Sequence, residues 1–255
     1  MAREVQEIIE NPAFSRRAAL RTFGGAAALA ATGLALAACG GSGNGNSNAG
    51  ASTATVDLGK AFRDIKIDED NHVTFLIAAL GAGARPAPKF DTTLAVFNPT
   101  SQAQFIALAD ALENTGTGAY TYATQFLVSA PAVLVAGASI GLVEGRHAGF
   151  LNAISGRPLL TDPNSANDMG DPTNAVPGGN YSMEVPQKPS QVVARATPFL
   201  GGAFSLNGGP PPPADDFGGL SGAALVGAVL NYALLLEYLE KTYYDLNVPK
   251  FFPAT

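Results

Sequence analysis

The stretch from Phe62 to Leu80 reads FRDIKIDEDNHVTFLIAAL, and its pattern predicts the fold. Its apolar residues recur at intervals of three and four, which is the period of one face of an α-helix. Glu69 and His72 lie on that same face, one helical turn apart, so both side chains can bind one metal ion. We therefore predict a helix over about 58–80 that carries a pair of metal ligands. Gly81 ends this helix.

The same pattern occurs a second time, in Glu144-Gly145-Arg146-His147. The chain has two histidines, and both follow a glutamate by three residues. One such pair on a surface helix is usually solvated, but two pairs among apolar neighbours, using every histidine, indicate metal ligands. Two Glu-x-x-His helices and a glutamate from each of two further helices form the ligand pattern of dinuclear carboxylate bundles.

Two further glutamates complete this pattern. Glu113 ends an apolar run that starts at Phe105, and Glu237 directly follows three leucines. A carboxylate in such surroundings needs a polar partner, because its burial alone is costly. For Glu113 the alternative is a partly exposed helix position. Glu240, one turn beyond Glu237, is the alternative inward-facing acid of the last helix.

Helical periodicity predicts an all-α protein. No segment alternates as a half-buried strand does. The predicted long helices cover about 58–80, 101–128, 129–155 and 220–246. Between the last two, residues 156–218 contain 11 of the 18 prolines, and we predict a long irregular excursion there with one short helix, Ser190 to Phe199. Loops of this length are usually functional or disordered.

Composition excludes several classes of protein. The net charge of −6 argues against a nucleic-acid partner, which usually requires a basic face. The single cysteine excludes a disulfide framework and a cysteine-based zinc or iron–sulfur site. With 47% hydrophobic residues the chain can build a core, and its polar chemistry has to come from few residues.

The N-terminal segment resembles a targeting signal. Ser15-Arg16-Arg17 begins a motif similar to a twin-arginine export signal, and Leu36-Ala37-Ala38-Cys39 resembles a bacterial lipobox. These motifs predict a signal over 1–39, a lipidated Cys39, a flexible Gly/Ser/Asn-rich tether over 40–57 and a helical domain over 58–255. The protein is then exported by the twin-arginine pathway and anchored by its lipid at a membrane of the cell envelope. An uncleaved transmembrane anchor is the alternative.

The sequence resembles the ferritin-like family, with most similarity to its exported branch and to desiccation-related proteins. The resemblance rests on four stretches: FRDIKIDEDNHVTFLIAAL from Phe62, LENTGTGAY from Leu112, ASIGLVEGRHAGFL from Ala138 and LNYALLLEYLEKTYY from Leu230. It implies a four-helix bundle with six metal ligands, namely Glu69, His72, Glu113, Glu144, His147 and Glu237. The spacing of Glu237 from Leu230 and from Tyr244 resembles the first helix of bacterioferritin-type proteins, which favours Glu237 over Glu240.

The order of the helices differs from that of the family. The helix with Glu-Tyr-Leu-Glu comes first in the family and last here, as in a circular permutation. The excursion over 156–218 is long enough to connect opposite ends of the bundle. In one alternative, a homodimer, this helix completes the bundle of a neighbouring subunit. In another it is a remnant, and the site is incomplete.

The resemblance implies a centre of two iron ions, or alternatively manganese, that reacts with O₂ or peroxide, as in ferrous oxidation. Four carboxylates and two imidazoles suit these metals better than zinc. Tyr120 and Tyr244 are candidate aromatic residues near the centre, although we expect their main role to be packing. The alternative function is a desiccation- or stress-related lipoprotein that retains the bundle without catalysis.

Overall fold

The computed structural model describes residues 56–156, 184–200 and 214–253. The predicted signal, Cys39 and nearly all of the tether lie outside the described residues. Within the described ranges the chain forms helices, turns and irregular segments, with no strand. The prediction of an all-α protein is confirmed for these residues.

Five α-helices make up the described structure. Their bounds are α1 Leu58–Leu80, α2 Gln102–Ala123, α3 Pro131–Ile154, α4 Pro189–Leu200 and α5 Gly222–Phe251. The bounds of α1 agree with the prediction, and α3 and α4 agree within two residues. In contrast, α2 ends five residues before its predicted end, and a 3₁₀ turn over Thr124–Phe126 follows it.

Local residues explain where the helices begin. The side chain of Asp57 accepts a hydrogen bond from Lys60 N at the start of α1. Ser101 does the same for Gln104 N at the start of α2. These N-caps satisfy amide groups that have no partner within the helix. Pro131 opens α3 at a position where its missing N–H costs nothing.

Helix α5 extends five residues beyond its predicted end, through Pro249. A proline inside a helix usually ends it, because the proline lacks an N–H group. Here tertiary packing outweighs that local preference. Phe251 stacks on Phe105 at 5.5 Å between ring centroids, and Phe252 stacks on Phe62 at 4.7 Å.

The buried side chains form two apolar layers with a polar layer between them. One layer includes Leu76, Ile140 and Leu234, and the other includes Phe62 and Leu151. Along α1 and α2 the chain passes from the second layer to the first, whereas along α3 and α5 it passes from the first to the second. Helices α1 and α2 therefore run in one direction, and α3 and α5 run in the other.

The four long helices pack within one chain. Helix α1 lies against α5, α2 lies against α3 and α5, and the short α4 covers α2. A group of four charges joins α1 to α5 next to the polar layer: Lys66 and Lys241 each pair with both Asp70 and Asp245. The last helix thus fills the fourth position of its own chain's bundle.

Helix α5 is the one helix among the described residues that is long and apolar enough to cross a membrane. About half of its most apolar window, 56%, is buried inside the bundle. Buried glutamates in the same helix fit a core helix, since charged groups at the centre of a bilayer are costly.

Candidate metal centre

The polar layer consists of charged side chains that water does not reach. Glu69, Glu113, Glu144 and Glu237 are each 0% exposed. His72 and His147 are also buried. Charged residues are rarely buried unless they are paired or bind a metal ion. All six residues named from the sequence therefore lie in one interior region.

Their ligand atoms form two overlapping groups. The first group contains Glu69, Glu113, Glu144 and His147, and the second contains Glu69, His72, Glu144 and Glu237. Within each group one ligand atom per residue lies within 4.8 Å of the others. Glu69 and Glu144 belong to both groups, so they are placed to bridge two ions. Glu113 and Glu237 each belong to one group, as terminal ligands do.

Both imidazole rings turn the same nitrogen, Nδ1, toward the carboxylates. His72 Nδ1 lies 3.3 Å from Glu69 Oε2 and 3.2 Å from both Glu144 Oε1 and Glu237 Oε2. His147 Nδ1 lies 3.1 Å from Glu69 Oε1 and from Glu113 Oε2. One ring nitrogen carries at most one proton, so it cannot satisfy several carboxylates. A cation at the centre of each group would satisfy them.

Unpaired oxygens on the bridging glutamates support this interpretation. Glu144 Oε2 is buried and has no hydrogen bond among the described residues, and Glu69 Oε1 and Glu144 Oε1 approach only a histidine Nδ1 that they share with another carboxylate, without forming a hydrogen bond. A buried polar atom without a partner is costly, and in native proteins it usually signals a missing water or ion. The donor set thus fits a pair of metal ions on this chain's own residues.

The far side of His147 contacts a residue that the sequence analysis missed. His147 Nε2 lies 3.2 Å from Asp68 Oδ2, and the Asp68 side chain is 47% exposed. A carboxylate on the second ring nitrogen fixes the orientation of a metal-binding histidine. Its position directly before Glu69 was the available signal. On α3 the corresponding residue, directly before Glu144, is Val143. A valine has no carboxylate to offer to His72, so the two histidines are not equivalent.

Two tyrosines bind the terminal glutamates. Tyr120 OH donates to Glu237 Oε1, and Tyr244 OH donates to Glu113 Oε1. Both tyrosines also belong to the buried layers, as expected, but their hydroxyl groups serve the centre directly. Each tyrosine follows the glutamate of its own helix by seven residues and binds the glutamate of the opposite helix. The centre therefore has an approximate two-fold arrangement.

Glu237 and Glu240 are both inward-facing, whereas the sequence analysis treated them as alternatives. Glu237 belongs to one of the two ligand groups, whereas Glu240 belongs to neither. Glu240 is 3% exposed, and its Oε2 has no hydrogen bond among the described residues. The last helix thus contributes a fifth buried carboxylate to this region.

Without metal, protons compensate part of the negative charge. Burial and the neighbouring Glu113 raise the pKa of Glu69 to about 7, and burial and Glu69 hold the pKa of Glu144 well above its usual range. Burial alone would lower the pKa values of both histidines, but the surrounding carboxylates raise them. Burial disfavours a charge on Glu237, yet the attraction of His72 lowers its pKa overall.

Comparison with protein families agrees with this arrangement. The family model of the ferritin-like domain matches residues 11–157, which is more than half of the chain. The chain belongs to the ferritin-like domain family. The match includes α1, α2 and α3, and it ends before α4 and α5, so Glu237 lies outside the matched region of this ferritin-like protein. No curated protein and no solved structure gave a significant match.

The raised pKa values predict that the metal-free ferritin-like protein loses stability as the pH rises from about 4.5 to about 7. A group whose pKa is raised by folding stabilises the protein fully at a pH below the pKa that the group has in the unfolded chain. This stabilisation is lost as the pH rises to the pKa that the group has in the folded protein. Glu69 loses it between about 4.5 and about 7, and the histidines act in the same direction. Thermal unfolding of the metal-free protein measures this. A melting temperature that rises across this interval would contradict it.

The contact of Asp68 predicts that Asp68→Asn weakens Mn(II) binding by about tenfold or more. The matched control is Asp64→Asn, one turn earlier on α1, whose carboxylate pairs with Lys60 at the surface. Titration calorimetry with Mn(II) compares the two variants. Equal affinities in both variants would show that Asp68 does not act through His147.

Proposed function

We propose that this protein is an exported, lipid-anchored member of the ferritin-like family whose bundle holds two iron ions, or alternatively manganese ions, for redox chemistry. The observation that carries the proposal is the pair of ligand groups that share Glu69 and Glu144. Ions bound there would supply reactivity toward O₂ or peroxide, as in ferrous oxidation.

Charge balance favours two divalent ions. The four ligand glutamates carry four negative charges when ionised, and two divalent cations neutralise them. The histidines add neutral nitrogen donors through Nδ1, and His147 is oriented by Asp68 on its other nitrogen. A set dominated by carboxylate oxygens suits iron or manganese, whereas zinc prefers tetrahedral nitrogen and sulfur ligands.

The chain's own residues also control the surroundings of the centre. Tyr120 and Tyr244 hold the terminal carboxylates through single hydrogen bonds, which leaves the other oxygen of each glutamate for an ion. The apolar layers on both sides exclude water. Within a dry interior, electrostatic attraction between the carboxylates and a cation is stronger than in water.

The location of the protein is proposed from its N-terminal motifs. The twin-arginine motif at Ser15-Arg16-Arg17 and the lipobox at Cys39 support export and attachment to a membrane of the cell envelope. The twin-arginine pathway carries folded proteins, which fits a metal centre loaded before export. The acidic composition supports the absence of a nucleic-acid partner.

The permuted helix order is part of the proposal. The family match contains three bundle helices and ends at residue 157, and α5 then supplies the fourth helix of the bundle from the C-terminal part of the same chain. This pattern supports a circular permutation over a helix exchanged between subunits. The position of Glu237 inside a ligand group argues against a remnant helix.

Metal loading tests the proposed function. The metal-free protein, incubated with Fe(II) without oxygen and then desalted, should retain about two ions per chain. Glu144→Gln should retain less than one, because the substitution removes a bridging ligand. Glu184→Gln, in the segment before α4, is the matched control and should load as the parent does.

Stability measurements separate loss of a ligand from misfolding. Glu144→Gln relieves repulsion among buried carboxylates, so the metal-free variant should melt at the same temperature as the parent or higher. A folded variant that still binds two ions would refute the assignment of Glu144. A parent protein that binds less than one ion would favour the non-catalytic, stress-related alternative.

A further inference from the structure

The approximate two-fold arrangement of the centre is broken at one pair of positions. Three residues after the terminal glutamate, α2 has Gly116, whereas α5 has Glu240. A Cβ atom on Gly116 would lie 2.6 Å from Glu144 Oε2 and 3.1 Å from Glu240 Oε1. The glycine therefore makes room for two carboxylates from different helices, and any larger residue would displace at least one of them.

Glu240 is not among the residues that would hold the two ions. It is absent from both groups, although it is almost completely buried. Its Oε2 is buried and unpaired among the described residues, and its Oε1 lies beside Gly116. A buried acceptor of this kind is costly unless something binds it.

Glu240 and Gly116 both line a cavity of about 190 Å³ between α2, α4 and α5. Most of the wall is apolar and includes Leu112, Ala196, Phe199 and Leu239. Thr115 and Arg195 contribute further polar groups, and Arg195 Nη1 lies 3.5 Å from Thr115 Oγ1. A mainly apolar pocket with a few polar groups is the usual form of a small-molecule site.

The size of the cavity limits what it can hold. An apolar cavity of about 150 Å³ accommodates one benzene molecule, so this cavity accommodates a single ring with a small substituent. The bound molecule would lie beside Gly116. Glu144, whose Oε2 lies next to the same glycine, belongs to the metal centre. Because Gly116 has no side chain, only its backbone would separate the bound molecule from Glu144.

We propose that this cavity binds a small, mostly apolar organic molecule of single-ring size that donates a hydrogen bond to Glu240. The proposal of a binding pocket is supported by the cavity and by Glu240. We also propose that the bound molecule is the substrate of the metal centre, and this second step rests on the proposed function. Glu240 acts here as a binding residue and not as a ligand of the two ions.

Phenol and toluene are the probes that test this site. They share ring size and shape, but only phenol donates a hydrogen bond. Titration of the metal-free, full-length chain followed by calorimetry or ligand-observed NMR should show saturable binding of phenol, with toluene weaker. Glu240→Leu should weaken phenol binding by about fivefold, the value of one hydrogen bond, and leave toluene binding unchanged or tighter.

A substitution that fills the cavity is the second test of the proposed site. Ala196→Phe places a ring among the lining residues and should abolish binding of both probes. The matched control is Ala194→Phe on the exposed side of the same helix, which should bind both as the parent does. Absence of saturable phenol binding in the parent, or equal phenol affinity in the parent and in folded Ala196→Phe, would overturn the proposal.

Metal loading and probe binding are measured separately, so their failures are distinguishable. If the protein binds phenol but takes up no Fe(II) in the loading experiment, the pocket is confirmed and only the proposed function is refuted. If the protein binds two ions but does not bind phenol, the pocket is refuted and the proposed function is kept.

Discussion

The structure depends on the repulsion among carboxylates buried in the middle of the bundle. Five glutamates from four helices point into one region that water does not reach. Burial of even one such group without a partner is costly, and several together cannot all be ionised without compensating positive charge. The same repulsion that destabilises the metal-free bundle would provide the affinity for cations, since two divalent ions would neutralise the charges of the four ligand glutamates.

The fold positions these groups through the order of layers along each helix. Every long helix has apolar residues above and below one or two ligands, so packing of the apolar layers brings the ligands to a common level. The reciprocal contacts of Tyr120 and Tyr244 then link α2 to α5 across the centre. Asp68 on one histidine and Glu240 beside Gly116 are the features that make the two halves unequal.

Much of this arrangement could be predicted from the sequence, because the ligands repeat at helical spacing. Glu69 and His72 were visible as a pair on one helix face, Glu113 and Glu237 stood out as acids in apolar runs, and the family resemblance favoured Glu237 over Glu240. The end of α5 was missed because Pro249 is a local signal for termination, whereas the packing of Phe251 and Phe252 depends on distant aromatic residues. Glu240 was treated as a rival of Glu237 because no local pattern reveals that Gly116, on another helix, leaves space for a second acid. Asp68 was missed for a similar reason, since its partner His147 lies on α3.

The central claim is that two ions share Glu69 and Glu144 between the apolar layers. Anomalous diffraction from crystals of the Mn(II)-loaded protein tests it most directly. The account predicts two strong peaks inside the bundle, both contacting Glu69 and Glu144, one also contacting His72 and Glu237 and the other His147 and Glu113. A single peak at this level, or peaks only at surface carboxylates, would contradict it.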